Sequence, residues 1–452
     1  MLSILNAFTI LLGVAFVTYV VFILVPYLRY PKAVPGDPAD FEWHFFIPCR
    51  DEEAVIDTTI SRARRDFPGA HTWVIDDDSE DATSAIVSRW AAEDSHVHLV
   101  QRRRPQARTG KGDALNAAYH QLLSWLPEDA DHERIVVVVI DADGEMEPNA
   151  LEICSAEDTF GDPAVGAAQI AVWMKNRDDK KPYPNSGRFA NTFARFLLRM
   201  QDLEFRTTIA AMQSLRAKTG TVGLGGNGQF TRLSVLDAIG EKFGEPWHGA
   251  LLEDYELGVH VVLAGFQVKH VYDTHVNQEA LPSIRRLLTQ RTRWAQGNIQ
   301  CVKYIGEVVK SPHVDSAGVI ETSYYLVLPF LQMLGALSFT ILVGAQVSLL
   351  IQDPAQVQLA LGSVLGLVGL LSVFSIAPFA VWGFVYKVRC EPQASWFTAL
   401  MWGLGVWVYV YYMYICIARA FLRIMRRKNG WAKTRRNAEA HVVVGGSVAV
   451  EV

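Results

Sequence analysis

The sequence predicts an α/β fold built on a doubly wound, mostly parallel sheet, joined to an α-helical transmembrane region. Three observations predict it. Short apolar runs alternate with helix-like segments from residue 41 to about residue 272, the pattern of strands and crossover helices. The run 135–140, IVVVVI, is six consecutive β-branched residues ending in Asp141-Ala142-Asp143, as expected of a buried strand that reaches charge at its carboxyl end. Four blocks carry no charge at all: residues 1–27, 322–352, 354–386 and 392–418. Each is long enough to enter or cross a bilayer, which takes about 20 apolar residues.

In chain order, block 1–27 is read as an uncleaved first helix, because its basic residues Arg29 and Lys32 follow the apolar run instead of preceding it. Those residues set the orientation, with residues from about 30 to 321 in the cytosol. Residues 41–48 form a first strand, and Cys49-Arg50-Asp51-Glu52-Glu53 opens a helix with an acidic first turn. Residues 71–75 are a second strand ending in Asp76-Asp77-Asp78-Ser79. Residues 97–100 are a third, followed by the basic turn 102–104 and a helix over 112–125 after Gly110-Lys111-Gly112. The strand over 135–140 is the fourth. In such a sheet, ligands bind beyond the carboxyl ends of the strands, so both aspartate clusters and Lys111 share one rim. Two carboxylates at i and i+2 suit a hard cation, Mg²⁺ or Mn²⁺, on a substrate diphosphate. The plain alternatives are an Asx-turn at Asp141, a capping cluster at residues 76–78 and a solvated Lys111.

Residues 166–173 are a fifth strand and 188–212 a helix near the membrane surface. The glycine-rich stretch 220–232, GTVGLGGNGQFTR, has no P-loop lysine. Glu253-Asp254 opens a helix running to residue 264. One of these carboxylates is a candidate general base; ordinary N-terminal charge is the alternative. Residues 282–302 read as an amphipathic helix in the headgroup layer, with Arg285, Arg286, Arg291 and Arg293 basic. Gln290, Arg293 and Trp294 share a face of it. Arg293 is placed to grip a diphosphate and Trp294 to stack on a sugar, and a purely interfacial pair would look similar.

Composition excludes several classes. A net charge of −5 on 452 residues argues against nucleic acid as a partner. The five scattered cysteines indicate neither zinc nor a disulfide framework. Uncharged membrane blocks argue against an ion-coupled transporter. Trp402, Trp407, Tyr409, Tyr411, Tyr412 and Tyr414 are candidates for a polymer channel or for an interfacial aromatic belt.

Six motifs in order resemble the membrane-embedded, processive family 2 glycosyltransferases, the cellulose, chitin, hyaluronan and poly-N-acetylglucosamine synthases. They are Pro48-Cys49-Arg50-Asp51-Glu52-Glu53, the stretch 74–83 (VIDDDSEDAT), Gly110-Lys111-Gly112-Asp113-Ala114-Leu115-Asn116, Asp141-Ala142-Asp143, Glu253-Asp254 and Gln290-Arg291-Thr292-Arg293-Trp294. Asp78 stands where glycine is usual, and Leu252 where threonine is usual. The resemblance implies a GT-A-type fold and an inverting transfer. Asp77, beside Asp76, would hold the uracil of a UDP-sugar, and Lys111 would neutralise phosphate. Asp143 with Asp141 would bind Mg²⁺ or Mn²⁺, and Asp254, flanked by Glu253, would deprotonate the acceptor. Gln290 and Arg293 would contact the diphosphate and Trp294 the acceptor sugar. Trp431 and Arg436 resemble a C-terminal gating loop, the alternative being a juxtamembrane basic tail.

The expected organisation is a transmembrane helix over 1–32, a cytosolic catalytic domain over 33–281, amphipathic interface helices over 282–321, transmembrane helices over 322–425 and a cytosolic basic tail over 426–452. The expected location is the plasma (inner) membrane, multi-pass. One crossing before the domain and three after it would put that tail on the wrong side, a conflict the sequence leaves open. The first functional reading is polymerisation of a UDP-sugar, glucose or N-acetylglucosamine, into a β-linked polysaccharide passed across the membrane. Its partners would be the donor, the growing polysaccharide, the bilayer and an accessory membrane subunit or a second copy. The alternatives are transfer of one sugar to a lipid acceptor and a catalytically silent scaffold.

Overall fold

In a computed structural model, the structure describes residues 2–352, 369 and 372–428. Its centre is an eight-stranded sheet. The strands are β1 (Glu42–Cys49), β2 (His71–Asp77), β3 (Val97–Arg102), β4 (Ile135–Val139), β5 (Glu145–Met146), β6 (Val165–Met174), β7 (Gln229–Arg232) and β8 (Gln267–Gln278). They lie in the order β3-β2-β1-β4-β7-β6-β8-β5. Strands β1 to β4 are mutually parallel, and β6 and β8 are parallel to each other. The short β7 joins the two halves antiparallel to both β4 and β6, and β5 is antiparallel to β8. The sheet is therefore mostly parallel, as expected. Strand β7 was hidden in the sequence because four residues after a glycine run show no usable alternation.

The helices to this point are α1 (Leu2–Leu28), α2 (Ile56–Asp66), α3 (Thr83–Glu93), α4 (Lys111–Trp125), α5 (Ala150–Cys154), α6 (Arg188–Leu203), α7 (Ala210–Thr219), α8 (Leu233–Phe243), α9 (Glu253–Leu263) and α10 (Ile284–Cys301), of which α2 packs on one face of the sheet and α4 and α8 on the other. One core unites Phe45, Ile47, Ile60, Val136 and Val138 with α2, and the other unites Phe46, Val137 and Val139 with Leu115 and Leu236. A wide π-turn over Glu204–Ile209 joins α6 to α7.

The segment from residue 49 departs from expectation. No helix begins there, and α2 starts only at Ile56. The backbone N–H groups of Asp51, Glu52 and Glu53 instead donate to Ser79 Oγ, Thr83 Oγ1 and Asp81 Oδ2 at 2.9, 2.8 and 3.0 Å. The Asp51 and Glu53 carboxylates reciprocate by accepting the N–H groups of Glu80 and Ala82 at 2.8 and 2.9 Å. The first two motifs are thus one cross-laced loop pair, and the acidic residues serve it instead of a helix dipole.

Beyond α10 come α11 (Ile305–Lys310), α12 (Ser316–Gln352), α13 (Ala377–Arg389), α14 (Trp396–Tyr409) and α15 (Tyr412–Met425). By length and composition, Ala7–Leu28, Ser316–Ala345 and Trp396–Met425 are three stretches apolar enough to cross a membrane. Helices α13 and α14 pack backbone to backbone. A Cβ on Gly383 would stand 2.2 Å from Ala399 O, and one on Gly403 would stand 2.3 Å from Ala380 O, the close approach that small residues allow.

The polar side of α10 differs from a lipid-surface helix. Arg291 is buried, and its Nη2 lies 2.7 Å from Glu204 Oε2. Glu204 also accepts hydrogen bonds from the Tyr409 and Tyr412 hydroxyls at 3.0 and 2.8 Å. Arg291 therefore leaves the expected basic outer face. Tyr409 and Tyr412 thus point their hydroxyls at Glu204, on the side of the sheet domain.

Candidate active site

The last turns of three motifs and the glycine-rich loop meet at Lys111. Its Nζ donates to Asp141 Oδ1 and to Gly226 O, each at 2.8 Å, and lies 3.9 Å from Glu253 Oε1. Gly112 lets the start of α4 reach this place: a Cβ there would stand 2.7 Å from His248 O and 3.6 Å from Glu253 Cβ. On the opposite side a Cβ on Gly297 of α10 would stand 2.5 Å from Leu252 N. The connection from α8 to α9 that delivers Glu253 and Asp254 is held between two glycine-lined helices. Each glycine is needed for close approach.

Glu253, buried, and Asp254, half-buried, form an acidic pair. Burial raises the Glu253 carboxyl, and Asp254 beside it raises it further, to about 7, although Lys111 and Arg293 act in the opposite sense. Burial also raises Asp254, against the pull of Lys111 and Arg293. Lys111 is itself held above the ordinary lysine value. Burial works against its charge, but Asp141, Glu253 and Asp254 outweigh it. The site thus sets two acids with raised pKa values beside a cation, an arrangement that can accept a proton and bind phosphate.

Gly226 stands inside this cluster. A Cβ on it would be 2.8 Å from Lys111 Nζ and 3.1 Å from Asp254 Oδ2. The next residue, Asn227, accepts the Asp141 N–H through Oδ1 at 3.2 Å, and Gln169 Nε2 donates to Asn227 O at 2.9 Å. The loop 220–228 looked like weak evidence in the sequence because its ligands are backbone atoms. Its glycine-flanked asparagine was the one available signal.

The other expected residues fall into place unevenly. Asp141 and Asp143 bracket the turn after β4, where Gly144 N–H donates to Asp141 O at 2.7 Å. Asp143 is buried, and its Oδ2 accepts the Glu279 N–H at 3.2 Å. Among the described residues, no three His, Cys, Asp or Glu side chains gather as metal ligands. Two carboxylates at a strand end still fit a hard divalent ion whose remaining ligands are phosphate and water, since such ions take few protein oxygens when a diphosphate is present.

Asp76 and Asp77 end β2 as expected. Asp76 is fully buried and accepts from Ser79 N–H at 3.0 Å and Arg103 Nη1 at 3.2 Å. Asp77 pairs with Arg102 and accepts the Arg108 N–H on both oxygens at 3.0 and 3.1 Å. Asp78 adopts the left-handed conformation, with φ 63°, which explains why glycine would serve there and why aspartate is tolerated.

On α10, Arg293 reaches the acidic pair electrostatically. Trp294 lies edge-on to Phe205, and the Arg291 guanidinium covers one of its faces at 4.3 Å. Gln290 is half-buried on the same helix. Trp431 and Arg436 lie outside the described residues. One neighbour was not expected: Tyr325 of α12, whose ring lies 5.1 Å from that of Tyr255, the residue after Asp254. The candidate base therefore lies beside the root of a membrane helix.

Comparison with known proteins agrees with this geometry. A family model described as "Glycosyltransferase like family 2" matches residues 42–297, more than half of the chain. The β-monoglucosyldiacylglycerol synthase of Synechocystis sp. is 28% identical over 278 residues, covering 60% of this chain and 51% of that protein. The polyprenol monophosphomannose synthase of Mycolicibacterium smegmatis is 30% identical over 154 residues, 34% of this chain and 54% of that protein. The chain spans about half the length of the curated relatives it matches. Among solved structures, the mannosyltransferase PcManGT from Pyrobaculum calidifontis in complex with GDP-Man and Mn²⁺ aligns over 94% of this chain and 99% of its own, with a TM-score of 0.57 and 17% identity. That likeness is one of fold. From the extent of the family match, the chain belongs to glycosyltransferase family 2.

Proposed function

We propose that the protein moves one sugar from a nucleotide-sugar donor onto the hydroxyl of a membrane lipid, with inversion at the anomeric carbon. The observation that carries this reading is the position of Asp254, a half-buried carboxylate in the field of Lys111 and Arg293, next in the chain to Tyr255, whose ring packs at 5.1 Å on that of Tyr325 of α12. An acceptor that stays in the bilayer would present its headgroup hydroxyl there. Curated relatives named as glucosyldiacylglycerol synthases support a lipid acceptor over the polymer expected from the motifs. The cover that Arg291 places on Trp294 also weakens its expected role as an acceptor-sugar platform.

In this mechanism the acceptor O–H gives its proton to Asp254 as its oxygen bonds the anomeric carbon, and the bond from that carbon to the diphosphate breaks. The leaving nucleoside diphosphate keeps that electron pair. Lys111 and Arg293 oppose its growing charge, and Asp76 and Asp77 are placed for the base. A divalent ion held by Asp141 and Asp143 would neutralise the same diphosphate. Lys111 is already within hydrogen-bond distance of Asp141, so donor binding would exchange one of its carboxylate contacts for phosphate. Gly226 keeps the space between Lys111 and Asp254 open.

The test is product analysis. Purified protein in vesicles containing diacylglycerol is given labelled UDP-glucose, UDP-N-acetylglucosamine and GDP-mannose in separate reactions. The expected product extracts into organic solvent with the mass of one sugar added to the lipid. Water-insoluble or high-mass saccharide would restore the polymer reading.

A further inference from the structure

The stretch Trp396–Met425 has the length and apolarity of a membrane crossing, but its contacts describe another path. It is two helices of 14 residues each, broken at Val410 and Tyr411. Each is about 21 Å long at 1.5 Å per residue, short of the roughly 30 Å hydrocarbon layer. A single crossing would leave only one end near the catalytic domain. Here the beginning, the middle and the end all touch it.

Just before α14, Glu391 Oε1 accepts from Arg206 Nη1 at 3.1 Å. Within α14, Gly405 lies so close to α6 that a Cβ would be 3.1 Å from both Met200 Sδ and Phe196 Cε2. At the break, the Tyr409 and Tyr412 hydroxyls donate to Glu204. Near the end of α15, Arg423 Nε donates to Gln296 Oε1 at 2.7 Å, and Gln296 Nε2 donates to the carbonyl of Lys428 at 2.9 Å. All these partners belong to the continuous helix 188–219 or to α10, which carry no membrane-crossing stretch.

Helices α1 and α12 behave differently. Tyr27 and Tyr19 of α1 make polar contacts with Arg206 O and Glu321 near the domain, whereas farther out Leu12 meets the backbone at Gly335 of α12. Those two helices leave the domain, and the 396–425 pair stays on it. The side of the pair turned away from the domain is apolar and open: Trp396, Phe397, Val408, Ile415, Leu422 and Met425 are between 46% and 71% exposed. It is continuous with the membrane helices and bordered by basic Lys387, Arg426 and Arg427, as at a leaflet surface.

We infer that α14 and α15 form one in-plane helical segment, with helical backbone at Val410 and Tyr411 between them, seated by Glu204 and Gln296 on the catalytic domain and by its outer apolar face in the headgroup layer of the leaflet nearest that domain. They do not cross. Of the four uncharged blocks, the one over 392–418 then adds no crossing, which removes the conflict between a basic chain end on the catalytic side and one crossing too many. It also sets the lipid surface at the level of Arg291, two positions before Arg293 on α10.

Cysteine labelling with a membrane-impermeant maleimide tests this in sealed vesicles of either orientation. Gln393→Cys and Arg426→Cys flank the in-plane segment, Glu128→Cys reports the catalytic domain, and the native chain is the blank. Both flanking positions are expected to label from the side that labels Glu128→Cys and to be protected from the other. Labelling of the two from opposite sides, or of either from the side opposite Glu128→Cys, overturns the in-plane path. All three cysteines must react in detergent, so a flanking site that reacts there but is silent from the catalytic side also overturns it. Depth is read separately from a fluorophore on Phe397→Cys. Headgroup-proximal quenchers should quench it more strongly than mid-bilayer ones, and the reverse order, or no quenching by either, overturns the lipid contact.

Discussion

Lys111 Nζ and Asp141 Oδ1 stand 2.8 Å apart, so the lysine of one motif and the first aspartate of another form a single ion pair at the centre of the site. Lys111 opens α4 and Asp141 follows β4, the next element, so the pair ties the start of one to the end of the other and closes the rim between them. Lys111 also holds the carbonyl of Gly226. A donor diphosphate entering here meets a cation already oriented by three oxygens in its surroundings, which lowers the reorganisation needed in the transition state.

Asp254→Asn keeps the shape of the side chain and removes the base. Transfer is expected to fall by about 10²- to 10⁴-fold, the usual span for a general base, while UDP still raises the melting temperature. Wild-type turnover in this variant would sink the assignment of Asp254.

Removing the metal site separates donor binding from acceptor chemistry. Asp143→Ala is expected to abolish the dependence of transfer on added Mn²⁺ or Mg²⁺ and to lower activity to that of the chelator-treated native protein. Activity of the native protein that survives chelation unchanged would contradict the role given to Asp141 and Asp143.

Gly226→Ala puts a methyl group 2.8 Å from Lys111 Nζ and 3.1 Å from Asp254 Oδ2. Such a displacement of reacting groups is expected to cost at least about tenfold in kcat, since misplacement by about 1 Å can cost about 10²-fold. Gly249→Ala is the control, because no atom lies within 4 Å of its added Cβ. Equal kcat values for the two variants would show that the loop does not shape the site.

The acidic pair sets a pH dependence with a definite sign. Burial and then Asp254 lift Glu253 to about 7, so transfer should rise with pH through that region as the pair loses its proton. Glu253→Gln removes one charge from the pair and should move this limb to lower pH. The folded protein holds the Glu253 proton more tightly than the unfolded chain does. Its contribution to stability therefore declines as pH rises from 4.5 to about 7, and Glu253→Gln should flatten that slope. An unchanged pH–rate profile in the variant would show that Glu253 does not titrate with the base.

Arg216 of α7 and Glu321 of α12 are each 5% exposed and lie 3.0 Å apart, tying the catalytic domain to a membrane helix. Tyr19 of α1 also donates to Glu321, at 3.2 Å, and the Arg216 guanidinium stacks over Tyr325 at 4.0 Å. Arg216→Met leaves a buried carboxylate without its cation and should destabilise the protein by about 3–5 kcal/mol, as breaking one side of a buried pair does. Denaturant unfolding in detergent checks this, and adding Glu321→Gln should recover part of the loss.

Much of the catalytic half was legible in the sequence because its signals are local. A strand such as 135–139 announces itself by the six β-branched residues of 135–140, and Lys111, Asp141, Asp143, Glu253 and Asp254 sit at the ends of elements whose types and order follow from periodicity. The parallel sheet then requires those ends to share a rim. What tertiary structure alone decided are the contacts between distant segments. Residues 51–53 spend their backbone donors on 79–83, so the expected helix start fails. Gly226 works through a carbonyl and a missing Cβ, neither of which has a sequence signature. Arg291 looked basic and outward until Glu204, 87 residues away, and two tyrosines from a later helix pair claimed that face. Apolarity fixed that residues 396–425 belong with lipid, but apolarity has no direction. Whether such a segment passes through a bilayer or lies along it is set by hydrogen bonds to Glu204 and Gln296, which exist only once the chain has folded.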